Sequence, residues 1–335
     1  MVPLSILDLS PIVEGGDAGQ SLRNSLDLAR HCETLGYPRF WMAEHHNLPG
    51  IASAATAVAL AHVASGTTRI KLGAGGIMLP NHAPLMVAEQ FGTLAALHPG
   101  RIELGLGRAP GSDQLTMRAM RRNLLAGDDQ FPRDVVELMN YFRPTEPGQR
   151  LQAVPGAGLD VPIWILGSSL FGAQLAAILG LPFAFASHFA PAALTQAIAI
   201  YRERFDPTHG LPKPRVMLGV TCVAAPTDAE ARFLFSSLQQ STLNNRTGTP
   251  SRVPPPVADF EASLDPYQRA VIDDALGAAV VGAPERVRQG LENIVAQTGA
   301  DELMVTANLY DHEKRKRSFA IIAEVAGMTV PGVRS

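Results

Sequence analysis

The chain has 335 residues, 46% of them hydrophobic and 18% charged, enough apolar mass for a large core. Its net charge is −3 with the nine histidines neutral, and no lysine and arginine cluster interleaves with aromatics, so a nucleic-acid partner is not expected. The two cysteines, Cys32 and Cys222, exclude a disulfide framework, and no apolar run approaches a membrane span or a secretory leader, so a cytoplasmic protein without a membrane anchor is expected.

Short β-branched or apolar runs predict strands at 4–9, 39–43, 70–77, 102–107, 162–167, 183–187, 216–224 and 302–307. Amphipathic segments separate them, as in "QSLRNSLDLARHCETLG", where Leu22, Leu26 and Ala29 share a stripe and Gly36 is placed as a stop. Strand and crossover helix repeated eight times predict an α/β fold of the (β/α)8 TIM barrel type, read as a single domain over 1–335. Two connections exceed a simple unit, residues 108–161 after the fourth strand and a Pro-rich excursion after the seventh. Within the latter, residues 241–283 form a candidate lid. The basic run "HEKRKR" at 312–317 opens a helical pattern and reads as a solvated face.

In such a barrel the carboxyl ends of the strands carry the site. The second strand ends in "FWMAEHHNLPG", which places Glu44, His45 and His46 there, as chemistry or as a hydrogen-bonded strand terminus. Side chains at i and i+2 share a side, so Glu44 and His46 converge and His45 points the other way. The zinc spacings HExxH and HxxEH are absent and no third ligand sits at a fixed distance, so a metal is only weakly signalled and none is assigned. The third strand carries Gly73, Gly75 and Gly76, a mark of barrel-corner packing or of close approach by a flat ligand. His82 and Glu89, which follow, read singly as surface or cap residues. The fourth strand ends at Arg108, and Gly105, Gly107 and Gly111 miss the dinucleotide spacing. At the fifth, Gly167-Ser168-Ser169 opens a helix, and a serine N-cap with free N–H groups suits a phosphate, as does a guanidinium from the neighbouring strand.

Together these segments resemble the bacterial luciferase-like superfamily of flavin-dependent monooxygenases. The carriers are "LDLSP", "AEHHNLPGIASA", "GAGGIMLPNHAPLMVAEQFGTL", "HPGRIELGLGRAPGSD" and "GSSLFGAQLAAILGLPFAFASHF", with "VVGAPERVRQGL" and "ADELMVT" later in the chain. The resemblance implies a barrel that uses FMN as reduced flavin supplied by a separate flavin reductase, with O2 and a small organic molecule as substrates, in a homodimer. It makes His45 the catalytic histidine, with Glu44 and His46 beside it at the flavin face. Gly75 and Gly76 would underlie the isoalloxazine across a non-prolyl cis peptide, and Arg108, Gly167, Ser168 and Ser169 would hold the phosphate. Phe171, Phe185 and Phe189 are placed to shelter the site or simply to pack. Two departures stand out: Gly107 replaces the reactive cysteine of luciferase, and Gly172 replaces a phosphate-facing hydroxyl, so light emission is not implied. Two alternatives accompany this reading, an F420-dependent oxidoreductase passing hydride and an FMN-binding barrel without turnover.

Overall fold

In the computed structural model, residues 1–109, 116, 119–120, 130–188 and 193–328 are described. Eight parallel strands close on themselves: β1 (Leu4–Asp8), β2 (Arg39–Met42), β3 (Lys71–Met78), β4 (Ile102–Gly107), β5 (Ile163–Gly167), β6 (Phe183–Phe185), β7 (Val216–Ala224) and β9 (Glu302–Thr306). Closure is seen in the registers Phe183↔Val216, Met217↔Glu302 and Leu4↔Leu303. All eight expected strands are present, with ends shifted by at most two residues. The reason they read so plainly is burial on both faces, which makes parallel strands near-continuous apolar runs; every residue of β1, β2, β6, β7 and β9 is buried.

A ninth strand was not legible. β8 (Val280–Gly282) has three residues and pairs only with Cys222–Ala224, the part of β7 that overruns the barrel.

The helices form the outer layer. They are α1 (Ala18–Thr34), α2 (Thr56–Ser65), α3 (Pro84–Leu97), α4 (Gln130–Tyr141), α5 (Leu170–Ile178), α6 (Leu194–Glu203), α7 (Asp228–Arg246), the short α8 (Phe260–Ser263), α9 (Pro266–Leu276), α10 (Pro284–Thr298) and α11 (His312–Val325). Local chemistry sets their ends. Asp17 caps α1 by accepting from the Gln20 N–H at 2.8 Å, and Gly36 follows the helix at φ +87° as expected of a stop. The connection between β4 and α4 lies largely outside the described residues, as do Gly111 and Phe189. One apolar cluster runs from Leu4 to Val325 and joins strands to helices, while Leu7, Trp41, Trp164, Met217 and Met304 belong to a second, smaller one.

A largely buried ion network joins β2, β4 and β9 with the residue before β7. Arg39 donates to Glu103 at 2.8 Å and to Glu302 at 2.6 Å, and Arg215 reaches the other oxygen of Glu302 at 3.0 Å. The basic run at 312–317 departs from its expected solvated role at one position: Arg315 is buried and donates to Asp8 at 2.7 Å, tying α11 to β1. Its neighbours Lys314 and Lys316 do bridge surface acids, Glu230 and Asp27.

Candidate active site

A cavity of about 450 Å³ opens at the carboxyl ends of the strands. Eight of the nine expected site residues line it: Glu44, His45, Gly75, Gly76, Arg108, Gly167, Ser168 and Ser169. His46 does not line it; its ring is turned to Glu44. Gly107 and Gly172, the two departures from the luciferase pattern, also line the cavity, as do Phe171 and Phe185.

The triplet has an unequal division of labour. Glu44 is fully buried, and its Oε1 accepts from His46 Nε2 at 2.6 Å and from His82 Nε2 at 2.8 Å, while Oε2 accepts from the Met78 N–H at 3.0 Å. Burial alone would raise its carboxyl, but the bonds from His82 and His46 and from the backbone outweigh it and hold it below the ordinary glutamate range. His82, expected at the surface or in a cap, is therefore the third member of this cluster, and the ligand-type atoms of Glu44, His46 and His82 lie within 4.8 Å of one another. Spacing could not supply it, since 38 residues separate the pair and the fold alone joins them. His45 faces the cavity, and burial holds its pKa below 6.5 although the charge of Glu44 opposes this.

The Gly75–Gly76 peptide is cis, and the register between β3 and β4 shifts between Ala74 and Ile77. A Cβ added at Gly76 would meet the Gly105 carbonyl oxygen at 2.6 Å, so neighbouring backbones approach here as no larger residue allows. Gly172, at the start of α5, is not constrained in this way: a Cβ there would lie 3.4 Å from the Gly167 Cα, an ordinary contact.

At that end the guanidinium of Arg108 lies 4.4 Å from the centre of the Phe171 ring. It forms no ion pair with the described residues, and neither do the hydroxyls of Ser168 and Ser169 form a hydrogen bond with them. Ser169 occupies the N-cap of α5 without capping it through its side chain. A cation stacked on Phe171, two hydroxyls and the N–H groups of a helix start thus line one end of the cavity without a hydrogen-bond partner among the described residues, a donor set that an anionic group would fit.

The opposite wall holds residues that sequence reasoning did not single out. His188 lines the cavity three residues past the end of β6, and Gly219 of β7 makes room for it, since a Cβ there would collide with His188 Nδ1. Burial pushes its pKa down to about 4, helped by His45 and opposed by a hydrogen bond with the Gly219 backbone. The signal was available, because His188 follows a strand end as His45 does. Thr306 Oγ1 and Asn308 Oδ1 are also buried along this cavity without a hydrogen-bond partner among the described residues. From the expected lid span, Thr242, Asn245, Arg246, Ala275 and Leu276 line it as well.

Residues 2–302 match the family of luciferase-like monooxygenases. The chain belongs to that family. It is 50% identical to a luciferase-like monooxygenase of Escherichia coli strain K12 over 324 residues, covering 97% of each chain. The crystal structure of apo-MsnO8 superposes with a TM-score of 0.87 at 34% identity, covering 98% of this chain and 99% of that one. Two others share the fold alone. The FMN-bound oxygenating constituent of 3,6-diketocamphane monooxygenase from Pseudomonas putida has a TM-score of 0.76 at 18% identity, covering 98% and 99%. An F420-dependent secondary alcohol dehydrogenase in complex with an F420–acetone adduct has a TM-score of 0.70 at 15%, covering 100% and 99%. The luciferase-like chain is an enzyme, a flavin-dependent monooxygenase. No helix among the described residues is long and apolar enough to cross a membrane.

Proposed function

We propose that the cofactor is FMN, taken up reduced from a separate flavin reductase, and that the enzyme oxidises a small organic substrate with O2. The observation that carries this reading is the unspent donor set of Arg108, Ser168 and Ser169 at the α5 N-terminus, opening onto the same cavity as the Gly75–Gly76 step and His45. A phosphate fits the first, a flat ring the second. When bound, reduced flavin supplies the two electrons that activate O2.

The chain's own residues supply the rest. Arg108 and the serine hydroxyls hold the phosphate and so fix where the ring lies. Leu7, Trp41, Met217 and Met304 make an apolar floor that keeps water from the reacting atoms. His45, neutral near pH 7 because its folded pKa lies below 6.5, takes a proton from the substrate or returns one. Glu44 does not face the chemistry alone; it is the ionised anchor that fixes the stretch carrying His45, with His46 and His82 as its clamps.

Electron supply tests the reading, because no dinucleotide fingerprint is present. The purified protein with FMN and NADH is expected to oxidise NADH very slowly and to consume oxygen once a flavin reductase is added. Rapid NADH oxidation by the protein alone would remove the separate reductase. Turnover only with reduced F420 would assign hydride transfer instead, and flavin binding without oxygen uptake would assign a non-catalytic barrel.

A further inference from the structure

The cavity is lined by a second arginine besides Arg108, Arg246. Helix α7 turns Leu238, Thr242, Asn245 and Arg246 toward it, a single stripe at helical spacing that passes from apolar to polar toward the helix end. The side chains of Thr242, Asn245 and Arg246 form no hydrogen bond or ion pair with the described residues.

The sector of the rim they occupy follows from how the end of α7 is tied down. Asn244 Nδ2 donates to Ser251 Oγ at 3.0 Å. The Ser251 carbonyl lies against Gly50, where an added Cβ would meet it at 2.6 Å, and Val253 bridges to Val13. Gly50 and Val13 belong to the loops after β2 and β1. The chain that leaves α7 after Arg246 is thus tied to the loops after β1 and β2, whereas Arg108 comes from the end of β4.

A cation at a helix C-terminus is favoured by the helix dipole, which accounts for an arginine at this position. It does not account for that arginine lining the cavity beside an amide and a hydroxyl, Thr242 half-buried and Asn245 and Arg246 exposed at the mouth. Nor does it account for the buried Thr306 Oγ1 and Asn308 Oδ1 along the same cavity, groups that proteins rarely leave without a partner.

We infer that Arg246, with Thr242 and Asn245, forms the anion-recognising end of the substrate subsite, and that the substrate is a small apolar molecule bearing one carboxylate. Charge decides between the two arginines. Arg108 with two hydroxyls and a helix N-terminus suits a doubly charged phosphate, whereas one guanidinium with two neutral groups at a helix C-terminus balances a single negative charge. Leu238, Leu276, Met217 and Met304 give the rest of the molecule an apolar wall. The inference rests on the flavin reading for the assignment of Arg108 to the cofactor.

The test uses hexanoate and hexanol as probes, titrated into FMN-saturated protein and followed by ligand-observed NMR, with FMN and riboflavin affinities measured beside them. Hexanoate is expected to bind more tightly than hexanol, to lose about tenfold or more in Arg246→Gln, and to recover part of that in Arg246→Lys. Hexanol binding and both flavin affinities should stay unchanged in Arg246→Gln. Equal binding of hexanoate by wild type and Arg246→Gln, no preference for hexanoate over hexanol, or loss of flavin affinity in Arg246→Gln would each overturn the proposal. Failure of the flavin reading is seen separately, as wild-type protein that prefers riboflavin to FMN or binds neither.

Discussion

His82 Nε2 lies 2.8 Å from the same Glu44 oxygen that His46 Nε2 reaches at 2.6 Å, so one carboxylate oxygen holds two imidazoles. The other oxygen takes the Met78 N–H, which fixes the end of β3 just beyond Gly75–Gly76. Glutamine is nearly the same size as glutamate but cannot replace it here. One of its two terminal atoms is an NH2 group, and every position Glu44 offers faces a donor. We expect Glu44→Gln to cost about 1–3 kcal/mol of folding stability, the price of a buried polar group set against its own kind, seen as a lower Tm. An unchanged Tm would mean that the cluster contributes nothing to the fold.

The fold was legible because parallel barrel strands announce themselves by unbroken apolar runs. What was not legible depends on contacts between distant segments. His82 looks like a loop histidine until β3 brings it beside Glu44, and Arg315 looks like one more charge in a basic run until α11 seats it on Asp8. Arg246 is an ordinary last-turn cation in sequence, and only the path of the chain through Ser251 to Gly50 sets it at the rim. β8 was missed because three residues carry no period.

Arg108 stacks on Phe171 with its N–H groups free of any described carboxylate, so its removal should be felt by a ligand more than by the fold. Arg108→Ala is expected to weaken FMN binding by about 1.5–3 kcal/mol, the range for a hydrogen bond to a charged group. Riboflavin, which lacks the phosphate, should bind mutant and wild type alike. Equal losses for both flavins in a fluorescence titration would take Arg108 away from the phosphate.

His188 and His45 give the protein a pH dependence whose sign can be worked out. Both have folded pKa values below the unfolded 6.5, His188 at about 4, so between these limits the unfolded chain binds protons that the folded one refuses. Their contribution is complete above pH 6.5 and is lost as the pH falls toward 4. Below that window the depressed carboxyl of Glu44 adds its own loss as it is protonated. The Tm should therefore drop between pH 7 and 5, and His188→Gln should flatten that drop. A slope identical in the variant would show that His188 does not titrate in this range. The same wall offers a steric check: Gly219→Ala drives a methyl group into His188 and should cost about 1–3 kcal/mol, the usual penalty of overpacking.

His45 is the one imidazole of the original pair that faces the cavity, and its role separates cleanly from a structural one. Its neighbours Glu44 and His46 are bound to each other, so truncating His45 leaves the anchor, with His82, in place. If His45 moves the proton, His45→Ala should slow substrate oxidation by about 10²–10⁴-fold while Tm and FMN affinity stay near those of wild type. His46→Ala should do the reverse in part. It strips one clamp from Glu44 and so lowers Tm, and it reaches the chemistry only through a looser hold on the His45 stretch. Product formation supplied by a reductase, measured across pH 5–9 beside thermal melts, tells them apart. The fall in rate on the acid side, which reports a group that must be neutral, should vanish in His45→Ala and persist in His46→Ala. Should His45→Ala keep both the rate and its acid limb, with a lowered Tm instead, the proton is handled elsewhere in the cavity, and His188 becomes the residue to test.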